Sequence, residues 1–177
     1  TPNIKIDDLT LFDIEFLFLN LRGQSVNNII QLSITDREDN TPYEFNINIP
    51  DIKVYGLKDN VDMKIELSTT EGIIMKYPPA SIYQDKEFLK SNDASYDKLM
   101  IKCIDKIYDK ENIYKASEYK EDELLAWIND LEIKNYNKIS DFISNLPVVK
   151  YEIKYKNKLS NERTITLATL NDFFMLV

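Results

Sequence analysis

Histidine is absent from the 177-residue chain, and cysteine occurs once, at Cys103. The lack of histidine excludes His-based acid–base catalysis and the Ser-His and Cys-His nucleophile systems. The ligands of an ordinary zinc site are missing as well. A single cysteine cannot form an intrachain disulfide, which fits a reducing compartment. We therefore expect a protein that is not an enzyme and that holds no metal or cofactor.

Glycine and proline are scarce, with 3 and 6 residues, so the chain contains no flexible low-complexity linker. Hydrophobic residues make up 44% and charged residues 29% of the sequence, which is typical of a folded protein. This composition predicts a single domain over residues 1–177, or the same domain with a helical sub-lobe at about residues 80–146.

Positive charge is also in deficit, because 22 Lys and Arg stand against 30 Asp and Glu, a formal net charge of −8. This balance argues against binding to a nucleic-acid backbone or to an anionic membrane surface. No apolar run reaches the roughly 18 residues of a membrane span. Thr1–Ile6 has no charged-then-apolar pattern, so we expect no signal peptide.

Helical periodicity appears in four segments, at about residues 10–22, 95–109, 121–131 and 133–146. Thr10 is a candidate N-cap of the first helix, and Gly23 is a candidate C-cap. The acidic run 121–123 favours the start of the third helix through the helix dipole. Pro147 stops the fourth helix.

Alternating apolar and polar residues predict antiparallel strands at about residues 29–75 and 148–167. Two of the strands predicted at about residues 29–75 flank the polar loop Asp36–Pro42, and Val61–Leu67 is a third alternating segment. We expect the C-terminal pair to join the first strand unit and the helices to pack on one side. The predicted fold class is therefore α+β.

Candidate catalytic and metal-binding groups are weak. Cys103 lies on the apolar stripe of its helix without a His partner, which favours a buried structural cysteine over a nucleophile. Three acidic clusters could bind Ca²⁺ or Mg²⁺ or act as acids and bases: Asp7-Asp8, Asp36–Asp39 and Glu121–Glu123. The second cluster lacks the glycine-centred spacing of a calcium loop, and helix-terminus electrostatics explain the third. No motif in the sequence supports a metal-dependent hydrolase that uses only carboxylates.

One face of a predicted strand and turn is basic, with Lys150, Lys154, Lys156 and Lys158. Tyr151 and Tyr155 project to the opposite face, where bases bound on the basic side could not stack on them. Exposed lysines on a strand discourage edge-to-edge pairing. We prefer this explanation to a nucleic-acid site.

The first helix is apolar nearly all round. Its two stripes consist of Leu11, Ile14, Phe18 and Leu21, and of Phe12, Phe16 and Leu19. A surface helix needs one apolar stripe, so the second is expected to lie between layers or to bind a partner. Aromatic side chains suit protein–protein contact. The partner-binding residues predicted on this basis are Phe12, Phe16, Leu19, Phe173 and Phe174.

Several motifs follow one another in order along most of the chain. They are the helix Leu9–Arg22 with Ser25-Val26, the segment Cys103–Glu111, the helical stretch Glu123–Pro147, and the end Leu170–Phe174 after a strand pair. This order resembles the baseplate hub proteins of T-even-type contractile-tailed bacteriophages.

The resemblance implies a virion assembly role, either as a hub subunit of the baseplate or as a chaperone that helps the hub to form. It implies other baseplate and hub proteins as partners, acting in the host cell cytoplasm during assembly, with the virion tail baseplate as the final site of a subunit. The shared motifs are packing motifs and transfer no catalytic residue. Some relatives carry cysteine pairs in the strand–loop–strand units, whereas the loops Asp36–Pro42 and Lys158–Glu162 of this chain contain no Cys or His, so the resemblance transfers no metal site.

A second function class remains open on charge alone. An acidic phage protein can inhibit a host nucleic-acid enzyme by mimicking DNA, and the net charge of −8 suits that role. A mimic should display carboxylates in phosphate-like rows. Here lysines are interspersed with glutamates on most predicted faces, which disfavours this alternative.

Overall fold

The computed structural model describes residues 5–6, 9–57, 63–86 and 93–174. The helices of this part of the chain are α1 (Leu11–Ser25), α2 (Asp93–Cys103), α3 (Glu121–Asn129), α4 (Ile133–Ser144) and α5 (Leu170–Phe174). The strands are β1 (Ile29–Thr35), β2 (Pro42–Asn48), β3 (Lys53–Tyr55), β4 (Lys64–Glu66), β5 (Gly72–Met75), β6 (Ile104–Tyr108), β7 (Ile113–Lys115), β8 (Val148–Lys156) and β9 (Glu162–Leu167). Helices and antiparallel sheets occur together, which confirms the predicted α+β class.

The chain divides into two compact units. Unit 1 comprises Thr1–Leu11 and Leu57–Leu146, and unit 2 comprises Phe12–Gly56 and Pro147–Val177. Each unit is therefore assembled from two segments that are distant in sequence. The fold of unit 2 depends on long-range pairing, because its first and last parts are separated by most of unit 1.

Unit 1 contains an antiparallel sheet in the order β4-β5-β6-β7. Residues of this sheet, of α2, α3 and α4, and of the short 3-10 helix after β7 form one hydrophobic core: Ile73, Met75, Met100, Ile101, Cys103, Ile104, Ala116, Leu124, Ile128, Ile139 and Ile143. The helices contribute residues at helical spacing, such as Leu124 and Ile128 of α3. Burial of each large aliphatic side chain contributes roughly 1.5–3 kcal/mol, so this core is the main source of stability in unit 1.

The predicted helix at 95–109 is wrong in its second half. α2 ends at Cys103, and Ile104–Tyr108 forms strand β6, which pairs with β5 on one side and β7 on the other. Ile104 and Ile107 are three residues apart, so they continue a helical stripe in the sequence. β-Branched and aromatic residues also suit a strand, and the two neighbouring strands supply backbone partners that periodicity cannot reveal.

The helices predicted at 121–131 and 133–146 are present as α3 and α4. Glu123 accepts a hydrogen bond from the backbone N–H of Lys120 at 3.0 Å, which fixes the start of α3. α4 ends at Ser144, shortly before Pro147. The acidic run and the proline therefore mark the ends of these helices as the sequence predicts.

Unit 2 contains two separate antiparallel sheets, the hairpin β1-β2 and the sheet β3-β8-β9. The C-terminal pair β8-β9 therefore joins only β3 of the earlier strands. β4 and β5 belong to the sheet of unit 1, so the strand unit expected at 29–75 is divided among three sheets. Alternation predicts a strand but not its neighbour, which explains this error. The expected strand Val61–Leu67 is observed as Lys64–Glu66, and Val61 lies outside the described residues.

Candidate functional site

Helix α1 buries one narrow stripe. Its buried residues are Phe12, Glu15, Leu19 and Gly23, which lie three or four residues apart. This spacing places them on one side of a helix with 3.6 residues per turn. Leu19 has no exposed surface, and Gly23 leaves so little room that an added Cβ would lie 2.8 Å from Asn28 Oδ1. This side of α1 is therefore committed to packing.

The rest of α1 exposes large apolar side chains. Phe16, Leu17, Phe18 and Leu21 are 40%, 50%, 50% and 55% exposed, and we call them the α1 apolar face. Leu21 is a neighbour of both Leu17 and Phe18 on the helix surface, because it lies four and three residues after them, whereas Phe16 lies about 100° around the helix from Leu17. A cluster of exposed apolar side chains such as Leu17, Phe18 and Leu21 marks an interaction site more often than scattered single residues do.

The C-terminal helix α5 supports one edge of this face. The ring of Phe174 meets that of Phe18 edge to face, with centroids 5.8 Å apart. The Arg22 guanidinium lies over the same ring at 5.1 Å. Thr169 caps α5 by accepting a hydrogen bond from the backbone N–H of Asp172 at 3.2 Å. The aromatic end is thus held against α1 rather than left free.

The predicted partner-binding residues fall into two groups. Phe12, Leu19 and Phe173 are buried, with 8%, 0% and 1% of their surface exposed. Phe16 is exposed, and Phe174 is half-buried beside Phe18. Leu17, Phe18 and Leu21 were missed by sequence reasoning as partner residues. The only signal for them was that α1 is apolar on both sides.

A buried acid lies beneath this region. Glu15 is 8% exposed, and burial raises its pKa from 4.5 to about 6, with a further contribution from the charge of Asp172. Asp172 itself accepts hydrogen bonds from the backbone N–H groups of Ala168 and Thr169, both at 2.9 Å. The Asp172 carboxylate on α5 therefore disfavours the charged form of Glu15 on α1.

A polar network joins the β1-β2 loop to the β8-β9 hairpin in unit 2, and we call it the hairpin clasp. Its side chains are Asp36, Glu38, Asp39, Tyr43, Tyr155, Asn157, Asn161 and Arg163. Tyr155 Oη and Arg163 Nε both donate to Asp36 Oδ2, the latter at 3.2 Å. Asn157 and Asn161 donate to the Glu38 carboxylate at 2.7 and 2.8 Å.

The clasp explains the acidic cluster Asp36–Asp39. The hydrogen bond from Tyr155 lowers the pKa of Asp36 to about 2, with smaller contributions from backbone N–H groups and Arg163, although burial opposes the shift. Asp39 accepts hydrogen bonds from the Tyr43 hydroxyl at 2.7 Å and the Lys158 backbone at 2.9 Å. These carboxylates connect two hairpins and have a structural role.

The remaining candidate groups show no catalytic arrangement. Cys103 is fully buried, and burial raises the pKa of its thiol to about 12, which suppresses the thiolate. Across residues 5–6, 9–57, 63–86 and 93–174, no three His, Cys, Asp or Glu side chains are grouped to hold a metal ion. Asp7-Asp8 lies outside this range. Lys150 pairs with Glu152 at 2.6 Å, so the basic strand face carries mixed charge.

The described part of unit 2 thus exposes apolar side chains on α1. Within the described part of the chain, no helix has the length and apolar content needed to cross a membrane. Residues 1–175 match the family model described as T4 bacteriophage base plate protein. The chain therefore belongs to this family of structural phage tail proteins, and other baseplate proteins are its partners. No curated protein and no solved structure matches the chain.

Proposed function

We propose that this protein acts in baseplate hub assembly, as a hub subunit or as an assembly chaperone, through protein–protein binding and without catalysis. The ordered motifs that resemble hub proteins support the hub in particular, and membership in the baseplate family supports the wider role. The single observation that carries the proposal is the α1 apolar face, with Phe16, Leu17, Phe18 and Leu21 all exposed on one helix.

The α1 apolar face has the composition of an interface centre. Two of its four side chains are phenylalanines, and the Arg22 guanidinium lies at its edge over the Phe174 ring. Aromatic residues and arginine are enriched at protein–protein interfaces. Phe174 and Phe18 extend this patch from α1 to α5. We assign this face to another hub protein.

Complementation of a phage that lacks this gene tests the proposal. Leu17→Lys and Leu21→Lys place a charge on exposed positions of the face, so the chain should fold normally but fail to restore plaques. Asn46→Lys is the matched control, because Asn46 is an exposed polar residue on β2, outside α1. Tails from the Lys variants should stop at the hub stage. Full plaque formation by both variants would contradict the assigned face.

The hub role itself needs a separate measurement. Deletion of the gene should stop tail assembly at the hub stage, and electron microscopy of the lysate should show the arrested particles. Normal, infective tails in the deletion would end the proposal. Mass spectrometry of purified virions, beside a pull-down from infected cells, distinguishes a hub subunit from an assembly chaperone. Presence in virions supports a subunit, and presence only in the pull-down supports a chaperone.

A further inference from the structure

An open cleft of about 420 Å³ lies in unit 1 between the sheet and the turn that joins α3 to α4. Its lining includes the aromatic rings of Tyr108, Tyr114 and Trp127. Four carboxylates also line it, from Glu71, Asp109, Asp130 and Glu132, and no Lys or Arg does. We call it the acidic cleft. This size and this mixture of rings and polar groups are typical of a ligand site.

An unsatisfied buried acceptor lines the same cleft. Asn135 is 7% exposed, and its Nδ2 donates a hydrogen bond to the Leu67 carbonyl at 3.0 Å. Only the amide nitrogen can donate to a carbonyl, so this bond fixes the amide orientation. The Oδ1 atom of Asn135 is buried and has no hydrogen-bond partner. A buried acceptor without a partner costs free energy, so the wall at Asn135 holds an unsatisfied polar group.

The four carboxylates of the cleft differ in whether they already have an ion-pair or hydrogen-bond partner. Glu132 is paired with Lys134 at 2.6 Å, and Asp109 accepts a hydrogen bond from the Tyr114 hydroxyl at 2.8 Å. Glu71 and Asp130 are exposed and form no ion pair within the described residues. The cleft therefore has two carboxylates without an ion-pair partner, and its lining includes Asn135, the side chain with the unsatisfied acceptor.

The aromatic rings favour a flat cation. Lys64 already lies over the Tyr108 ring at 5.0 Å, which shows that a cation can occupy this side of the sheet. Trp127 and Tyr114 remain to contact a ligand. A guanidinium stacks on such rings and presents five N–H donors in a plane, whereas an ammonium is a compact, strongly hydrated point charge.

A second, apolar cleft of about 400 Å³ adjoins the first. The two share Ile107, Tyr114 and Trp127, and the second adds Tyr119 and Leu124. Glu123 is the only charged residue in its lining. A ligand that crosses the shared wall therefore meets an acidic region on one side and an apolar region on the other.

We infer that unit 1 binds a segment of a partner protein in which an arginine enters the acidic cleft and a neighbouring apolar residue enters the adjoining cleft. The guanidinium donates to the carboxylates of Glu71 and Asp130 and stacks on Trp127, against the wall that carries Asn135. The assignment of the partner to the baseplate rests on the proposed function; the chemistry of the segment does not.

Trp127 is the only tryptophan in the chain, so its fluorescence reports directly on the cleft. The full-length protein is titrated with acetyl-Arg-Leu-amide, with the same peptide carrying citrulline in place of arginine, and with acetyl-Glu-Leu-amide. We expect a saturable change with the arginine peptide and binding about tenfold weaker or more with citrulline, which keeps the shape but loses the charge. The glutamate peptide should produce no saturable change.

The double variant Glu71→Gln and Asp130→Asn should weaken binding of the arginine peptide at least about tenfold, the loss of one charge-assisted hydrogen bond. Both side chains are exposed, so the fold is expected to survive. Asp141→Asn is the matched control, since Asp141 is exposed on α4 and does not line the cleft. Equal binding of arginine and citrulline peptides, or wild-type affinity of the double variant, would overturn the inference.

The titration uses purified protein and needs no assembled tail. Its failure would remove the arginine site and leave the proposed hub role untouched. Infective tails from the gene deletion would remove the hub role and leave the peptide affinities as measured.

Discussion

Tyr155 donates a hydrogen bond to the buried carboxylate of Asp36, and the two residues are 119 positions apart in the chain. This bond links the loop after β1 to strand β8, the first and last parts of unit 2. The Tyr155 ring also packs on Tyr43 and Phe45, with centroids 4.9 and 5.2 Å away. This hydrogen bond, which lies beside aromatic rings, therefore connects the two parts of unit 2.

Removal of the Tyr155 hydroxyl should make the protein more sensitive to acid. The folded-state pKa of Asp36 is about 2, below its ordinary 3.8, and the hydrogen bond from Tyr155 is the largest cause. As pH falls, the unfolded chain binds this proton first, so stability is present above about pH 3.8 and is lost toward pH 2. Tyr155→Phe should unfold at a higher pH than the wild type, measured by circular dichroism.

Tyr151→Phe is the control for this change, because Tyr151 lies on the same strand and forms no hydrogen bond with the clasp. Its acid transition should match that of the wild type. An acid transition of Tyr155→Phe that also matches the wild type would show that the hydroxyl contributes nothing to the fold.

Glu15 should destabilise the protein at neutral pH. Its folded pKa is raised to about 6 from 4.5, so the folded chain retains the proton more strongly. The resulting penalty is absent below pH 4.5, grows as pH rises to about 6, and is constant above. Glu15→Gln should raise the free energy of unfolding by roughly 1 kcal/mol at pH 8 and leave it nearly unchanged at pH 4.

Urea titrations at the two pH values measure this difference. Glu44→Gln, at an exposed position of β2, removes the same charge and should show no such pH dependence. A stabilisation by Glu15→Gln that is equal at pH 4 and pH 8 would contradict the role of the buried charge.

Two leucines of α1 should respond differently to the same substitution. Leu19 has no exposed surface, so Leu19→Ala leaves a cavity and should cost about 2–5 kcal/mol. Leu17 is 50% exposed, and Leu17→Ala should change stability by about 0.5 kcal/mol or less. Thermal or urea unfolding of the two variants measures both values. Equal losses of stability in the two variants would contradict the burial of Leu19 and the exposure of Leu17.

Cys103 should be inert in the native protein. It has no exposed surface, and burial raises the pKa of its thiol to about 12. A disulfide reagent at pH 8 should therefore fail to label folded protein and should label it fully in guanidinium chloride, because the thiolate is the reactive form. Fast labelling without denaturant, at a rate independent of added urea, would contradict this burial.

Substitution of Gly72 by any residue with a side chain should destabilise the protein. A Cβ at this position would lie 2.5 Å from the Ile65 carbonyl oxygen and closer still to the Tyr108 hydroxyl. The carbonyl belongs to the paired strand β4 and cannot move freely. Gly72→Ala should therefore cost about 1–3 kcal/mol in urea unfolding.

Gly23→Ala is the matched substitution. Its nearest obstacle is the Asn28 side chain at 2.8 Å, which can move, and alanine is about 1 kcal/mol better than glycine in a helix. The net change should be small. A larger loss for Gly23→Ala than for Gly72→Ala would contradict the stated close approach of β4 and β6 to Gly72.

Local sequence signals determined much of the fold. The acidic run before Leu124 and the stop at Pro147 predicted α3 and α4, because caps and breakers act through bonds within one turn of the chain. Alternation predicted β1, β2, β8 and β9 for the same local reason. The lack of histidine excluded the histidine-dependent catalytic systems through composition alone.

Only the tertiary structure decided which elements pair and which sides are exposed. Ile104 continues a helical stripe in sequence, yet its backbone pairs with β5, which begins 32 positions earlier, at Gly72. Phe12 and Phe16 lie on one sequence stripe, but Phe12 is buried and Phe16 is exposed. Backbone pairing and side-chain burial depend on residues distant in the chain, so periodicity, which reports only on neighbours, could not distinguish these outcomes.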